Sequence, residues 1–278
     1  MLADYHVHTE FSEDSEYEME EVVIDAIEKG LDEICFTDHV DFGVKLDHDQ
    51  QGTTARLDEN GLPIYNVDYP RYFEKIAFLQ EKYKDRICIK KGLELGVQMC
   101  HLDEYEKLYK EWPMDFIIHS NHQVDDIEIF LPEFFEGKSQ KEYNRVYYKE
   151  LLDTTLHYKH YSVLGHIDAF NRYDPLGPCP FEDFSDLVYE ILKVAIEDGK
   201  GIELNTSNVR YGLKDLTPCM DILKMYKQLG GKIITIGSDS HRKEHLGFRI
   251  KESQAILKDL GFEYFCTFEN MEPIFHRL

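Results

Sequence analysis

Two stretches near opposite ends of the chain decide the fold: residues 2–8, LADYHVH, and residues 232–241, KIITIGSDSH. Each is a short apolar run that ends in ionisable residues two positions apart, His6 and His8 in the first, Asp239 and His241 in the second. Side chains two apart on an extended strand face the same side. Each run therefore offers a pair of metal-capable groups at its C-terminal end. The pattern recurs between them. Residues 33–39 end in Thr37-Asp38-His39, 87–96 carry Glu94 in GLELG, 115–122 end in HSNH with His119 and His122, and 162–168 carry His166 and Asp168 in GHID. Residues 201–207, GIELNTS, complete a set of seven strand-like runs.

Helix-period stretches separate them. Residues 19–29 place apolar side chains at 19, 22, 23, 26 and 27, and 69–84, 102–112, 141–158, 184–198, 218–229 and 252–260 behave alike. Gly30, Gly199, Gly230 and Gly261 stand where helices stop. Alternating apolar strands and helices imply a parallel sheet covered by helices. A closed barrel is the expected form, because it gathers all the C-terminal strand ends at one point, whereas an open sheet spreads them along a line. The expectation is one α/β domain over residues 1–278, with an inserted connection at about 40–68 and a second long connection at 170–180 that contains NRYDPLGPCP. Both follow strand ends and should overhang the chemistry.

Composition narrows the function. Thirty-one basic residues face 54 acidic ones, a formal net charge of -23, and no basic stripe suited to nucleic acid is apparent. A small phosphorylated metabolite stays compatible, because bound cations reverse the charge locally. No run is long enough for a membrane span and no leader-like segment opens the chain, so a cytoplasmic protein is expected. Six cysteines form no CxxC pair. Cys35 and Cys88 lie in apolar runs and are expected to be buried thiols.

A single histidine at a strand end is ordinarily a hydrogen-bonded rim residue, and Glu94 alone could be a paired buried carboxylate. Five strand ends with histidine and a sixth with glutamate are another matter, because burying so many ionisable groups without a cation is costly. The candidates at these positions are His6, His8, Asp14, Asp38, His39, Glu94, His119, His122, His166, Asp168, Asp239 and His241. A histidine–carboxylate set without cysteine suits Zn, Mn or Fe, and a set this large exceeds what one ion uses. Clustered divalent ions acidify a water and clamp the oxygens of a transferring phosphoryl group.

The ordered motifs HVH, TDH, GLE, SNH, GHID and SDSH resemble the polymerase-and-histidinol-phosphatase (PHP) superfamily, and GIELNTSNVR with IGSDSHR and GHIDAFNRYDP resembles its histidinol-phosphatase branch. The resemblance implies a distorted (β/α)7, TIM-like barrel with three divalent metal ions. It implies that His6, His8, Glu94 and Asp239 hold one ion, that Glu94 bridges to a second completed by His122 and His166, and that Asp14, His39 and His241 hold the third. His119 departs from the pattern: it reads either as a packing residue or as a substrate contact. The implied reaction is hydrolysis of L-histidinol phosphate, a step of histidine biosynthesis, with Glu94, Asp239 and His241 as the catalytic candidates and Arg172 and Arg210 as phosphate contacts. Asp168 and Asn205 are expected to support the ligands, and Tyr65, Tyr69 or Tyr173 to shape the pocket. The alternatives are a phosphoesterase for another small metabolite, a nucleotide or DNA-end phosphoesterase, and a barrel without catalysis. The occupied ligand positions argue against the last. Oligomeric state is left open.

Overall fold

Short runs rich in Ile, Val, Leu and Phe, each too brief for a helix, form seven parallel strands in the computed structural model, which describes residues 1–48, 56–58 and 60–278. They are β1 (Ala3–Val7), β2 (Glu33–Phe36), β3 (Cys88–Gly96), β4 (Phe116–Ser120), β5 (Val163–Leu164), β6 (Gly201–Asn205) and β7 (Ile234–Gly237). Neighbours in sequence are neighbours in the sheet. The last strand returns to the first: the His8 amide donates to the Ser240 carbonyl at 2.9 Å and the Ser240 amide to the His6 carbonyl at 3.3 Å. That contact nearly closes a (β/α)7 barrel. A two-residue strand, His39–Val40, extends the sheet beyond β2 by pairing His39 with Glu94 of β3.

Among the described residues, seven helices of nine residues or more cover the barrel: α1 (Met19–Glu28), α2 (Tyr69–Tyr83), α3 (Leu102–Glu111), α4 (Gln140–His157), α5 (Ser185–Glu197), α6 (Met220–Gln228) and α7 (Ile250–Asp259). Each buries one stripe, as α1 does with Met19, Val22, Val23 and Ala26, and turns most of its charges outward; the buried Asp25 of α1 pairs with Tyr17 and Lys243. Each buried aliphatic side chain contributes about 1.5–3 kcal/mol. Local signals set the starts: Asp68 caps α2 with Pro70 in its first turn, and Ser139 with Glu142 forms a capping box on α4. Gly199, Gly230 and Gly261 take positive φ just past α5, α6 and α7, as expected.

Two features differ from expectation. Residues 264–277 form an antiparallel hairpin, β8 (Tyr264–Glu269) and β9 (Glu272–Arg277). Its two-residue turn, Asn270-Met271, has positive φ at both positions and lacks the glycine that usually announces it. Phe268 packs on Tyr5 and Phe116, and the Met271 amide donates to the Asp115 carbonyl at 2.9 Å, so the hairpin covers the N-terminal end of the barrel, opposite the chemistry. Cys88, expected to be buried, is exposed, because it opens β3 at the outer end; Cys35 is buried. The expected insertion at 40–68 includes residues 49–55 and 59, which lie outside the described residues. Its described part folds back on itself through bridges such as Leu46 with Tyr65.

Candidate metal centre

Glu94, two residues from the end of β3, is fully buried and both its oxygens are surrounded by imidazoles. Its Oε2 lies 3.1 Å from His6 Nε2, 3.4 Å from His8 Nε2 and 3.0 Å from His39 Nδ1. Its Oε1 lies 3.1 Å from His122 Nε2 and 2.8 Å from His166 Nε2, and accepts a hydrogen bond from Ser120 Oγ at 2.6 Å. Asp239 Oδ1 sits 3.7 Å from His6 Nε2, 3.6 Å from His8 Nε2 and 3.8 Å from His241 Nδ1. Asp14, the most open member, faces His241 Nε2 at 3.1 Å and His39 Nε2 at 3.8 Å. The structure thus brings together all nine residues that the resemblance implies as ligands.

The donor set asks for cations. His6 Nε2, His8 Nε2, His39 Nδ1, His241 Nε2 and Glu94 Oε2 are buried without a hydrogen-bond partner. A buried polar atom left in that state costs about 1–3 kcal/mol, and here five of them converge. Electrostatics agree. Burial alone would push the Glu94 and Asp239 carboxyls up, yet His6 and the other surrounding cationic groups hold both well below the usual carboxylate range. Burial would lower His122, yet Glu94 and Asp41 raise it to about 10. His8 is driven well below its ordinary value by burial and by His241, His39 and His6. A cavity that favours anionic carboxylates and crowds imidazoles around them is suited to divalent metal held by N and O donors.

Around the donors stands a layer that aims them. His6 Nδ1 is 2.6 Å from Glu203 Oε1, His122 Nδ1 is 2.8 Å from Asp41 Oδ1, and His8 Nδ1 is 3.2 Å from Ser12 Oγ, which in turn donates to Asp38. An imidazole held at one nitrogen by a carboxylate presents the other in a fixed direction. Glu203 and Asp41 had not been singled out. Alternation gave a signal for both: Glu203 is two residues before Asn205 on β6, and Asp41 is two residues after His39. Gly237 keeps room for this layer, since a Cβ there would lie 2.3 Å from Glu203 Oε1 and 2.4 Å from His6 Cβ.

The supporting residues divide. Asn205 donates to Asp239 Oδ2 at 3.3 Å and accepts from Ser207. Asp168 instead turns to the Cys219 amide at 2.8 Å, and burial raises its carboxyl to about 7. Arg172 lines the cleft, 3.1 Å from Asp239 Oδ2, with its guanidinium over Tyr211. Arg210 Nη2 donates to the carbonyls of Ser238 and Asp239, both at 2.8 Å, while its Nη1 is buried and unpartnered. Arg210 thereby bolts down the backbone at Asp239, whose φ is +56°. His119 is corrected: it is no substrate contact. Its side chain is fully buried, its Nε2 pairs with Thr154 Oγ1 of α4 at 3.0 Å, and its ring meets Tyr158 and Tyr161 edge-on. Ile118, His119 and Ser120 alternate faces, which sends His119 to the helix layer.

Above the donors opens a cleft of about 190 Å³. Its other wall carries Glu13, Asp41, Lys45, Arg56 and Glu128 with Phe130, while Tyr173 and Tyr211 line the cleft beside Arg172. Lys45 bridges Glu13 at 2.6 Å and Asp41 at 2.8 Å, and Arg56 holds Glu128 at 2.6 Å. Of the three tyrosines expected at the pocket, only Tyr173 lines this cleft. Tyr65 stacks on His48, and Tyr69 donates to Asp47 beside a separate hollow of about 320 Å³ that contains none of the clustered donors.

Among the described residues, no helix is long and apolar enough to cross a membrane. The PHP domain family model matches residues 4–207. The histidinol-phosphatase of Lactococcus lactis subsp. lactis strain IL1403 is 34% identical over 97% of this chain and 95% of its own. A Clostridium acetobutylicum protein named "Probable histidinol-phosphatase" is 27% identical over 99% of this chain and 96% of its own. A crystal structure of the histidinol phosphate phosphatase from the same Lactococcus strain, complexed with zinc, L-histidinol and phosphate, superposes with a TM-score of 0.83 at 33% identity, covering 98% of each chain.

Proposed function

This chain belongs to the PHP domain family, in its histidinol-phosphatase branch, and from that premise we propose that it hydrolyses L-histidinol phosphate to L-histidinol and phosphate with divalent metal held in the histidine–carboxylate cluster. The observation that carries the reading is the convergence of unpartnered buried donors on Glu94 at the floor of a cleft that also holds Arg172. Three ions are assigned. His6, His8, Glu94 and Asp239 form one set, Glu94, His122 and His166 a second, and Asp14, His39 and His241 a third. Zinc is the first candidate, as the metal in the Lactococcus complex. Such ions, when bound, acidify water and neutralise charge on the phosphoryl oxygens.

The chain's own residues do the rest. Glu203, Asp41 and Ser12 fix the directions of His6, His122 and His8. Arg172 presents a planar fork to the phosphate, steadied by Tyr211 beneath it and by Ser207 Oγ at 2.6 Å. Arg210 holds the Asp239 backbone through Nη2 and keeps its buried Nη1 as an unpartnered donor. The carboxylates of the opposite wall suit the cationic organic half of the substrate, and the aromatic rings of Phe130 and Tyr173 suit its imidazole. The whole chain acts as one domain in this reading, since the cluster draws on residues from His6 to His241. A cytoplasmic setting goes with it, supported by six unpaired thiols.

Phosphate release by purified, metal-analysed protein tests the reading, with histidinol phosphate compared against sugar phosphates, nucleotides and short DNA. The expected result is a kcat/KM for histidinol phosphate far above the others, with up to three metals per chain. A different preferred ester would discard the substrate, and absence of both metal and turnover would discard the reaction.

A further inference from the structure

Away from the cluster, metal-ligating side chains from separate elements meet at one other place among the described residues. Cys100 and His101 lie in the 3-10 turn Met99–His101 that leads into α3. Asp126 lies in the tight turn between the short strands Gln123–Val124 and Ile127–Glu128. One donor atom from each of the three lies within 4.8 Å of the other two. Metal–ligand bonds of about 2.0–2.3 Å place donors on one ion roughly 3–4 Å apart, so small side-chain rotations bring these three onto a common centre.

The surroundings are those of a built site. His101 Nε2 is 2.9 Å from Asp126 Oδ1, and its Nδ1 is 3.4 Å from Glu104 Oε1. One ring nitrogen faces the other donors while a carboxylate holds the opposite one, as around metal-ligating histidines. Asp126 is gripped from behind by Gln98, a fully buried amide that donates to Asp126 Oδ1 at 3.1 Å and accepts from the Asp126 amide at 2.8 Å. The same Gln98 nitrogen donates to the Phe42 carbonyl at 2.9 Å. Position 43 is left without a side chain: a Cβ on Gly43, at φ +95°, would lie 1.9 Å from Asp126 Oδ1 and 2.4 Å from His101 Nε2. Cys100 is exposed at the rim of this site, yet partial burial of the thiol, followed by the nearby Asp126, Glu150 and Asp125, pushes it up to about 11, and these three carboxylates also attract a cation.

We propose that Cys100, His101 and Asp126 bind a single thiophilic divalent cation of the zinc class, apart from the histidine–carboxylate cluster, with water completing its coordination. Thiolate with imidazole selects such an ion over Mg or Ca. The ion ties the turn at Asp126 to the start of α3. That turn belongs to the hairpin that follows His122 and leads into Glu128 and Phe130 of the cleft wall, so the ion braces the wall and takes no part in the floor.

Cobalt(II) substitution tests this directly. The donors of the main cluster are all nitrogen and oxygen, so a thiolate-to-cobalt charge-transfer absorption in the near ultraviolet reports the new site alone. The wild-type protein is expected to show that band and to retain one more cobalt per chain than C100S after desalting. H101Q and D126N should lose the band, while C100S keeps phosphate release within about twofold, which also shows that it folds. Absence of the band in the wild type overturns the proposal. So does a band that persists in H101Q, because another thiol such as the exposed Cys88 would then be its source.

Discussion

The floor and the wall of the cleft are held by different physics. The floor consists of side chains at barrel strand ends, where the backbone is fixed by parallel pairing and the imidazoles are aimed by Glu203, Asp41 and Ser12. The wall is built from the insertion and the short hairpin after His122, and ion pairs hold it: Lys45 with Glu13 and Asp41, and Arg56 with Glu128. On the floor, charge is unbalanced until a cation arrives. Along the wall, each charge has a partner, and the outer one, Arg56, has a side chain that is 40% exposed. In the proposed reaction the floor serves as the preorganised centre, and the wall is the part free to vary with the organic half of the substrate.

That contrast can be broken or sharpened by substitution. Glu94→Gln should have the largest effect, because an amide nitrogen would face imidazole nitrogens where a carboxylate oxygen now does. Metal content should fall and kcat should drop about 10³-fold or more; full metal with full turnover would remove Glu94 from the centre. Arg172→Lys should lower kcat/KM by about 10²-fold with metal retained, since a point charge replaces a planar fork. Metal loss in that variant would show that Arg172 serves Asp239 more than the phosphate. Arg56→Ala should raise KM for histidinol phosphate by about tenfold or less and leave turnover of p-nitrophenyl phosphate unchanged. Equal losses on both esters would mean that the wall supports the floor and does not select the substrate.

The smallest expected effect lies outside both regions. Burial and the charge of Lys159 lower His119 from its ordinary 6.5 to about 3. Between those values the unfolded chain binds a proton that the folded chain does not, so this contribution to stability is complete above pH 6.5 and is lost as pH falls. Each pH unit inside the window costs up to about 1.4 kcal/mol. His119→Gln should flatten that part of the curve, measured by urea unfolding at pH 7 and pH 5, and leave kcat within about twofold. A tenfold loss of kcat at full stability would return His119 to the site.

His119 and His122 also mark how far reading the chain can go. Both stand in HSNH, and only the face each one takes at the end of β4 sends the first to α4 and the second to Glu94. The barrel strands and their helices were legible because apolar period is a local property, and the chemical residues were legible because they recur at successive strand ends. The C-terminal hairpin was not, since Asn270-Met271 adopts its turn without glycine and the strands take their hydrophobic face from Tyr5 and Phe116, more than a hundred residues away for either. Cys88 looked like a core thiol for the converse reason: its run is apolar, but its own position opens the strand at the surface.

By itself, the sequence determined the alternation of strands and helices, the choice of histidine and carboxylate as donors, and their order along the chain, because these depend on residue type and short-range spacing. The tertiary structure alone decided that both oxygens of one glutamate would collect five imidazoles from four separate segments. It also decided that Arg210 would spend two hydrogen bonds on the backbone at Asp239, and that Asp41 and Glu203 would aim the ligands. Those outcomes depend on barrel closure and on which face a side chain takes, and both are fixed only when segments far apart in sequence pack against each other.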